Sequence, residues 1–254
     1  MTDPLTLLLM TLFGYAGVPT LLARTGFSRA LKGAPAALPQ VALTFDDGPD
    51  PVWTPRILEI LDRHGVTATF FVLGSQAEAH PDIIRQVAAA GHEVGVHGYR
   101  HLPPALLGLR ATLQDVGETV QVLTSILENR PRYYRPPWGI FNLWTGIAAR
   151  RHQLIPVVWS LYVSEWSRRT TAQSIYVDAM HRTQPGTVLL LHDCAGPGSR
   201  RDAPAIVARV LPRLISGLRR KGLEFVSLSQ LLSPGNGGLP DDAAPDQIVG
   251  SPRP

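Results

Sequence analysis

Apolar runs that read as buried strands alternate along this chain with segments that read as helices. That alternation restricts the fold more than any other feature. Val41-Ala42-Leu43, Ala68–Leu73, Glu93–Val96, Leu154–Trp159, Val188–Leu191 and Leu223–Ser227 carry the strand pattern. Between them, Thr54-Pro55 predicts an N-cap followed by Pro at the first helical position, with Ile57, Leu58 and Leu61 as the stripe and Gly65 as the stop. Pro81–Ala90 predicts a helix closed by Gly91, with Ile83, Ile84 and Val87 facing in. Leu113, Val116, Val120 and Leu123 mark a long helix ending near Asn129. Asn142–Arg151, Ala172–His181, Ala205–Arg220 (kinked by Pro212) and Leu228–Leu232 complete the helical set. Parallel strands joined by crossover helices satisfy such a pattern, and in a parallel barrel the residues that follow different strands meet at one mouth.

Polar residues stand where several of these strands end. Asp46-Asp47-Gly48-Pro49 follows the first strand. Two adjacent carboxylates are costly to keep ionised unless something positive lies beside them. A metal, with one Asp ligating and the other free as a base, accounts for the pair; a solvated turn is the plain alternative. His97-Gly98-Tyr99-Arg100-His101 follows the strand at Glu93–Val96. The spacing predicts two imidazoles on one face of a helical turn, within reach of one metal, and two unrelated surface histidines are the alternative. Gly98 stands where a zinc protease would carry its glutamate, so a base has to come from elsewhere. Arg135-Pro136-Pro137-Trp138-Gly139 predicts a stiff loop whose Arg can bind a carboxylate or face solvent. The Val188–Leu191 strand runs into His192-Asp193. The strand reading therefore gathers Asp46, Asp47, His97, Arg135 and His192 at one mouth.

These segments, in this order and over roughly Val41 to Leu232, resemble the polysaccharide deacetylase family, the chitooligosaccharide deacetylase-like domain of carbohydrate esterase family 4. The resemblance implies an α/β fold, a distorted parallel (β/α) barrel, that removes acetyl groups from N-acetylated sugars with one divalent metal. It implies that Asp46 is the base, that Asp47, His97 and His101 hold the metal, that Arg135 orients Asp46 and that His192 is the general acid. The backbone N–H of Trp138 is then a donor to the oxyanion. Trp138, Trp159 and Trp166 are expected as substrate-binding walls for sugar rings, with ordinary core packing as the alternative for each. Zn2+ is the expected metal, with Co2+, Mn2+ or Ni2+ also compatible. The same ligand set suits non-haem iron oxygenases; a base beside the metal and an acid across the mouth favour hydrolysis.

Two positions depart from the family pattern. Gly98 replaces the usual Ser or Thr, removing a hydroxyl that supports the metal ligands. In Trp159-Ser-Leu-Tyr-Val-Ser-Glu165-Trp166, Tyr162 stands where an Asp partner for the general acid is expected. Glu165 is the possible replacement, its longer side chain extending toward His192. Without such a partner His192 is a poorly oriented acid, and a non-catalytic carbohydrate-binding relative is the alternative reading.

Composition agrees. The 254 residues, 44% hydrophobic and 17% charged, suffice for one domain with a substantial core. A net charge of +4 without a long Lys/Arg run argues against nucleic acid as a partner. Cys194 is the only cysteine, so no intrachain disulfide forms; a small buried side chain is a commoner role for it than a nucleophile. Leu5 to Ala23 carries no charge and is long enough to cross a bilayer, although Gly14, Gly17 and Pro19 should weaken or kink a helix there. Asp3 precedes it, and Arg24, Arg29 and Lys32 follow it. Read literally, that charge bias keeps the barrel in the cytoplasm. The family's polymer substrates lie outside, and a membrane-anchored or secreted enzyme with its catalytic domain outside the cytoplasm is expected; an apolar helix packed on the barrel is the alternative. The organisation expected is a hydrophobic anchor or signal-like segment at 1–24, a linker at 25–40, the barrel at 41–232 and a disordered tail at 233–254, acting as a monomer on an N-acetylated glycan and touching the membrane through residues 5–23.

Overall fold

In the computed structural model of the chain, which describes residues 3–25, 30, 31, 33 and 38–233, the strands are β1 (Gln40–Asp46), β2 (Ala68–Val72), β3 (Glu93–Val96), β4 (Tyr133–Tyr134), β5 (Ile155–Pro156), β6 (Leu161–Tyr162), β7 (Val188–His192) and β8 (Glu224–Phe225). The helices are α1 (Pro4–Thr25), α2 (Trp53–Arg63), α3 (Gly74–Ala79), α4 (Pro81–Ala89), α5 (Leu109–Leu127), α6 (Thr145–Arg151), α7 (Ala172–Arg182), α8 (Ala203–Arg220) and α9 (Leu228–Leu231).

β1 is buried from Val41 to Asp46. A strand apolar on both faces needs cover on each side and partners on each edge, which parallel sheets with crossover helices supply. β2 and β7 flank β1, and the sheet runs β5-β4-β3-β2-β1-β7-β6, with β8 beside the start of β1. Every pairing is parallel. The sheet curls into a half-barrel whose path ends at β5 and β6 among the described residues. Phe45 and Phe70 stack at 5.0 Å between ring centroids in the core that α2, α4, α5 and α8 cover.

The predicted elements differ from the observed ones in instructive ways. Of the Leu154–Trp159 run, Ile155–Pro156 forms the strand and Val157 adds a parallel bridge to Leu31; the chain then turns to place Trp159 at the mouth. Thr54 is inside α2 instead of capping it. Val52 is the N-cap, and the Asp50 carboxylate just before it accepts from the N–H groups of Val52 and Trp53, both at 2.8 Å. The helix predicted from Asn142 starts at Thr145, because Asn142 is spent on side-chain bonds to Pro104 O and Leu107 O that tie two loops together. Neither α3 nor β6 was legible: both are short and lack a periodic stripe. Pro212 lies inside α8, which continues through it.

The irregularity expected from Gly14, Gly17 and Pro19 takes the form of a π turn at Phe13–Gly17 within α1. The helix continues through it and packs its second half on the barrel. Tyr15 Oη donates to Leu107 O, Phe141 N donates to Thr20 Oγ1 at 2.9 Å, and Arg24 Nη2 donates to Trp138 O at 3.3 Å. Ala16 and Ala23 are buried, whereas Leu5, Leu7, Leu8, Leu9, Met10 and Phe13 stand exposed. The boundary expected between 24 and 25 thus falls within a helix that touches the barrel. Most of the expected linker at 25–40 lies outside the described residues, as does the expected tail beyond Ser233.

Because Phe70 is fully buried against Phe45, Phe70→Ala is expected to cost about 3–5 kcal/mol of stability, read as a lowered denaturant midpoint with an unchanged slope.

Candidate active site and metal centre

The C-terminal ends of the parallel strands converge as a barrel requires. Asp46 is the last residue of β1, in register with His192 at the end of β7. His97 follows β3 and Arg135 follows β4. Consecutive strand residues point to opposite faces, which alone would part Asp46 from Asp47. Asp47 escapes that rule with φ of 77°, in the left-handed region that Asp tolerates better than most residues. Both carboxylates consequently approach one imidazole: His97 Nε2 lies 3.3 Å from Asp47 Oδ1 and 3.9 Å from Asp46 Oδ2.

His101 joins them, its Nε2 3.1 Å from Asp47 Oδ1. The helical turn predicted for residues 97–101 does not form. Gly98 at φ 87° and His101 at φ 51° fold the segment into an irregular loop that turns both rings inward. Asp47, His97 and His101 are all buried, with their ligand atoms within 4.8 Å of one another. His97 donates Nδ1–H to Arg135 O at 2.7 Å, which fixes its tautomer and leaves the Nε2 lone pair toward Asp47. Burial works against charge on Asp47, but bonds to His101 and His97 hold its carboxyl well below the usual carboxylate range. Burial likewise opposes charge on His97, yet Asp46 and Asp47 raise its basicity. The cluster is short of positive charge, and two imidazole nitrogens with one carboxylate are a donor set for a divalent cation with positions left open. The residues fit a metal.

Arg135 is fully buried. Its Nη1 donates to Asp46 Oδ1 at 2.6 Å and to Thr44 Oγ1 at 2.8 Å, while its guanidinium lies 4.1 Å from the Phe71 ring centroid. Burial lowers its pKa and the Asp46 charge opposes that. Asp46 Oδ1 is engaged by Arg135, and Oδ2 is the oxygen on the His97 side.

Across the mouth, His192 Nδ1 lies 2.7 Å from Glu165 Oε1, and Glu165 is fully buried. Burial alone would lower the His192 pKa; the Glu165 charge and hydrogen bond, with Asp47 and Asp46 behind them, raise it to about 9. Tyr162, at the position where an Asp was expected, is exposed and leans on Trp166 with 5.6 Å between ring centroids. Trp138, Trp159 and Trp166 line one cavity of about 250 Å³ together with Asp46, Asp47, His97, His101 and His192. Trp166 meets His192 edge-on at 5.5 Å, and Trp138 meets His101 at 4.1 Å. Cys194 has its thiol pushed up to about 12 by burial and the neighbouring carboxylates of Asp193, Asp50 and Asp47, which removes it as a nucleophile at neutral pH.

Three further residues belong to this site. Asp115, on α5, accepts from Tyr99 N at 2.9 Å and so braces the loop between the two histidines. A Cβ on Gly98 would lie 2.6 Å from Asp115 Oδ2, so the carboxylate fills the space beside the missing hydroxyl. Nothing in the helical stripe of α5 distinguishes Asp115 from a surface acid. Gly196 lets the chain pass over Asp47, where a Cβ would sit 2.1 Å from Oδ2. Arg24 stacks 4.8 Å from the Trp159 ring centroid while it bonds Trp138 O; a residue so distant in sequence gives no local signal.

Comparison with known proteins gives a consistent picture. The family model described as Polysaccharide deacetylase matches residues 34–156. A peptidoglycan-N-acetylglucosamine deacetylase of Bacillus cereus is 34% identical over 76% of this chain and 68% of its own length. A chitooligosaccharide deacetylase of Sinorhizobium fredii is 34% identical over 80% of this chain and 97% of its own. The crystal structure of the Bc1960 peptidoglycan N-acetylglucosamine deacetylase superposes with a TM-score of 0.75 at 31% identity, covering 84% of this chain and 96% of that one.

Asp115→Ala is expected to weaken Zn2+ binding by about 10–100-fold in a competition titration, with the fold retained by circular dichroism. Gly98→Ser should also weaken it, because the added atoms meet Asp115 and the backbone there is left-handed.

Proposed function

The chain belongs to the polysaccharide deacetylase family, and from that premise we propose that it hydrolyses the acetamide of N-acetylhexosamine residues in a cell-envelope glycan of peptidoglycan or chitin-like type. Relatives named for each of those substrates cover most of this chain. The observation that carries the reading is the division of labour around one mouth: a carboxylate beside a metal-type triad on one side, and a Glu-supported imidazole on the other.

Asp47, His97 and His101 would hold a divalent metal, Zn2+ by preference of the donor set, which would supply Lewis acidity for the acetyl carbonyl and for water. The chain's own groups do the rest. Asp46, pinned through Oδ1 by Arg135, keeps Oδ2 turned toward the triad, where it takes the proton from the attacking water. The Trp138 N–H donates to the developing oxyanion. The left-handed backbone at Trp138, φ 54°, orients that N–H, and the Arg24 bond to Trp138 O holds the peptide that follows. Glu165 Oε1 accepts a hydrogen bond from His192 Nδ1–H, which leaves Nε2–H to be given to the departing amine. With a pKa raised to about 9, His192 is charged at neutral pH and able to give that proton. Trp138, Trp159 and Trp166 flank the sugar ring. Residues Pro4–Thr25 anchor the protein as a monomer on the outer side of the membrane.

Acetate release from N-acetylglucosamine oligomers and from peptidoglycan fragments, with Zn2+ and with chelator, tests this reading; acetate that persists unchanged in chelator overturns it. Asp46→Asn is expected to keep the metal and lose about 10²–10⁴-fold in kcat, whereas Asp47→Ala should lose the metal itself. Glu165 raises the His192 pKa above its unfolded value, so the pair stabilises the fold fully below about pH 6.5 and less as pH rises through about 9. Glu165→Gln should therefore move the alkaline limb of the pH–rate profile toward lower pH; an unmoved limb separates Glu165 from the acid.

A further inference from the structure

We propose that the barrel rim beside α1 is a membrane-seating surface, on which Leu102, Leu106, Leu109, Leu143 and Ile147 rest in the same bilayer that holds the helix. The inference rests on the reading of residues 4–25 as membrane-embedded and adds a second contact to it.

All five side chains are exposed, Leu106 at 74% and Leu143 at 54%. They lie on two segments that the fold joins to α1 and to each other. Tyr15 reaches Leu107 O, Thr20 pairs with the backbone of Phe141, and Asn142 ties Pro104 O to the second segment. Among the other described residues of the barrel the exposed large apolar ones are Leu38, Val52, Trp138, Tyr162 and Val177; Leu38, Val52 and Val177 are far apart in sequence, and Trp138 and Tyr162 stand at the catalytic mouth. Scattered apolar residues are ordinary, whereas a group continuous with another apolar surface marks an interface.

The occupant follows from that continuity. From Pro4 to Ala23 the helix carries no charge, and its side chains from Leu5 to Phe13 are exposed all round except the half-buried Thr6. A surface so uniformly apolar, without a polar rim of its own, is solvated by lipid. The rim extends it sideways, and exposed Arg110 and Arg150 stand next to Leu109 and one turn from Ile147, where long cationic side chains bury their stems and reach anionic headgroups. Arg24, at the end of the helix, bonds Trp138 O, and Trp138 lines the catalytic cavity. The mouth thus opens beside the seat, and the substrate class is a glycan presented at the bilayer surface.

The full chain with Cys194→Ser and one of Leu8→Cys, Leu106→Cys, Leu143→Cys or Val177→Cys, each labelled with an environment-sensitive fluorophore, tests this in phosphatidylglycerol–phosphatidylethanolamine vesicles containing brominated acyl chains. Labels at 8, 106 and 143 should shift to the blue and be quenched by the bromines, while the label at 177 should do neither. Quenching at 8 without quenching at 106 and 143 leaves the anchor and overturns the seat. No quenching at 8 overturns the anchor as well. A blue shift at 106 and 143 without quenching assigns the rim to a protein surface and overturns the lipid contact. Circular dichroism of each labelled variant verifies the fold.

Discussion

A buried ion pair sits at the centre of this molecule. Arg135 and Asp46 meet at 2.6 Å with almost no exposure to water. Neither charge is tolerable there alone, since removing one partner of such a pair strands the other at a cost of about 3–5 kcal/mol. The pair spans the sheet from the loop after β4 to the end of β1, and the two intervening strands, β2 and β3, have to be in register for it to close. The same loop offers Arg135 O to His97, so one residue positions both the carboxylate that faces the triad and an imidazole within it. Thr44, bonded to Arg135 and to Leu189 O, links the pair to β7 and hence to the side of the mouth that carries His192.

The deacetylase relatives and the curled parallel sheet agree with what the strand–helix alternation and the strand-end polar residues imply. Those signals were readable because they are local: a buried strand announces itself as a run such as Val188–Leu191, and Asp or His at its exit is anomalous against that run. Weaker elements escaped for the converse reason. β6 and α3 owe their existence to neighbours, and the helical turn expected at 97–101 yielded to the left-handed backbone at Gly98 and His101. Spacing said that the two histidines could meet; only the loop geometry says how. Asp115 and Arg24 were invisible because the residues they support lie far from them in sequence.

Both departures from the family pattern find a physical answer nearby. Tyr162 cannot partner His192, but Glu165 reaches it from three residues further along, buried and at 2.7 Å. Gly98 has no hydroxyl, and the Asp115 carboxylate lies where one would project. Glu165 keeps a carboxylate on His192 through a longer side chain, and Asp115 braces the loop beside Gly98 through Tyr99 N. Sequence patterns written around the local group alone would score this chain as damaged, although the polar connections around the histidines are present.

The backbone at Asp47 imposes one last constraint. With φ at 77°, the position asks first for a residue able to turn left-handed and only second for a carboxylate. A descendant that abandoned the chemistry would still have to make that bend to carry the chain from β1 into the Gly48-Pro49 turn. Drift at this site is therefore channelled toward Asn or Gly, which make the bend readily, and away from Val, Ile and Thr, which resist it. The history of such a lineage would be written first as a change of side chain on an unchanged bend.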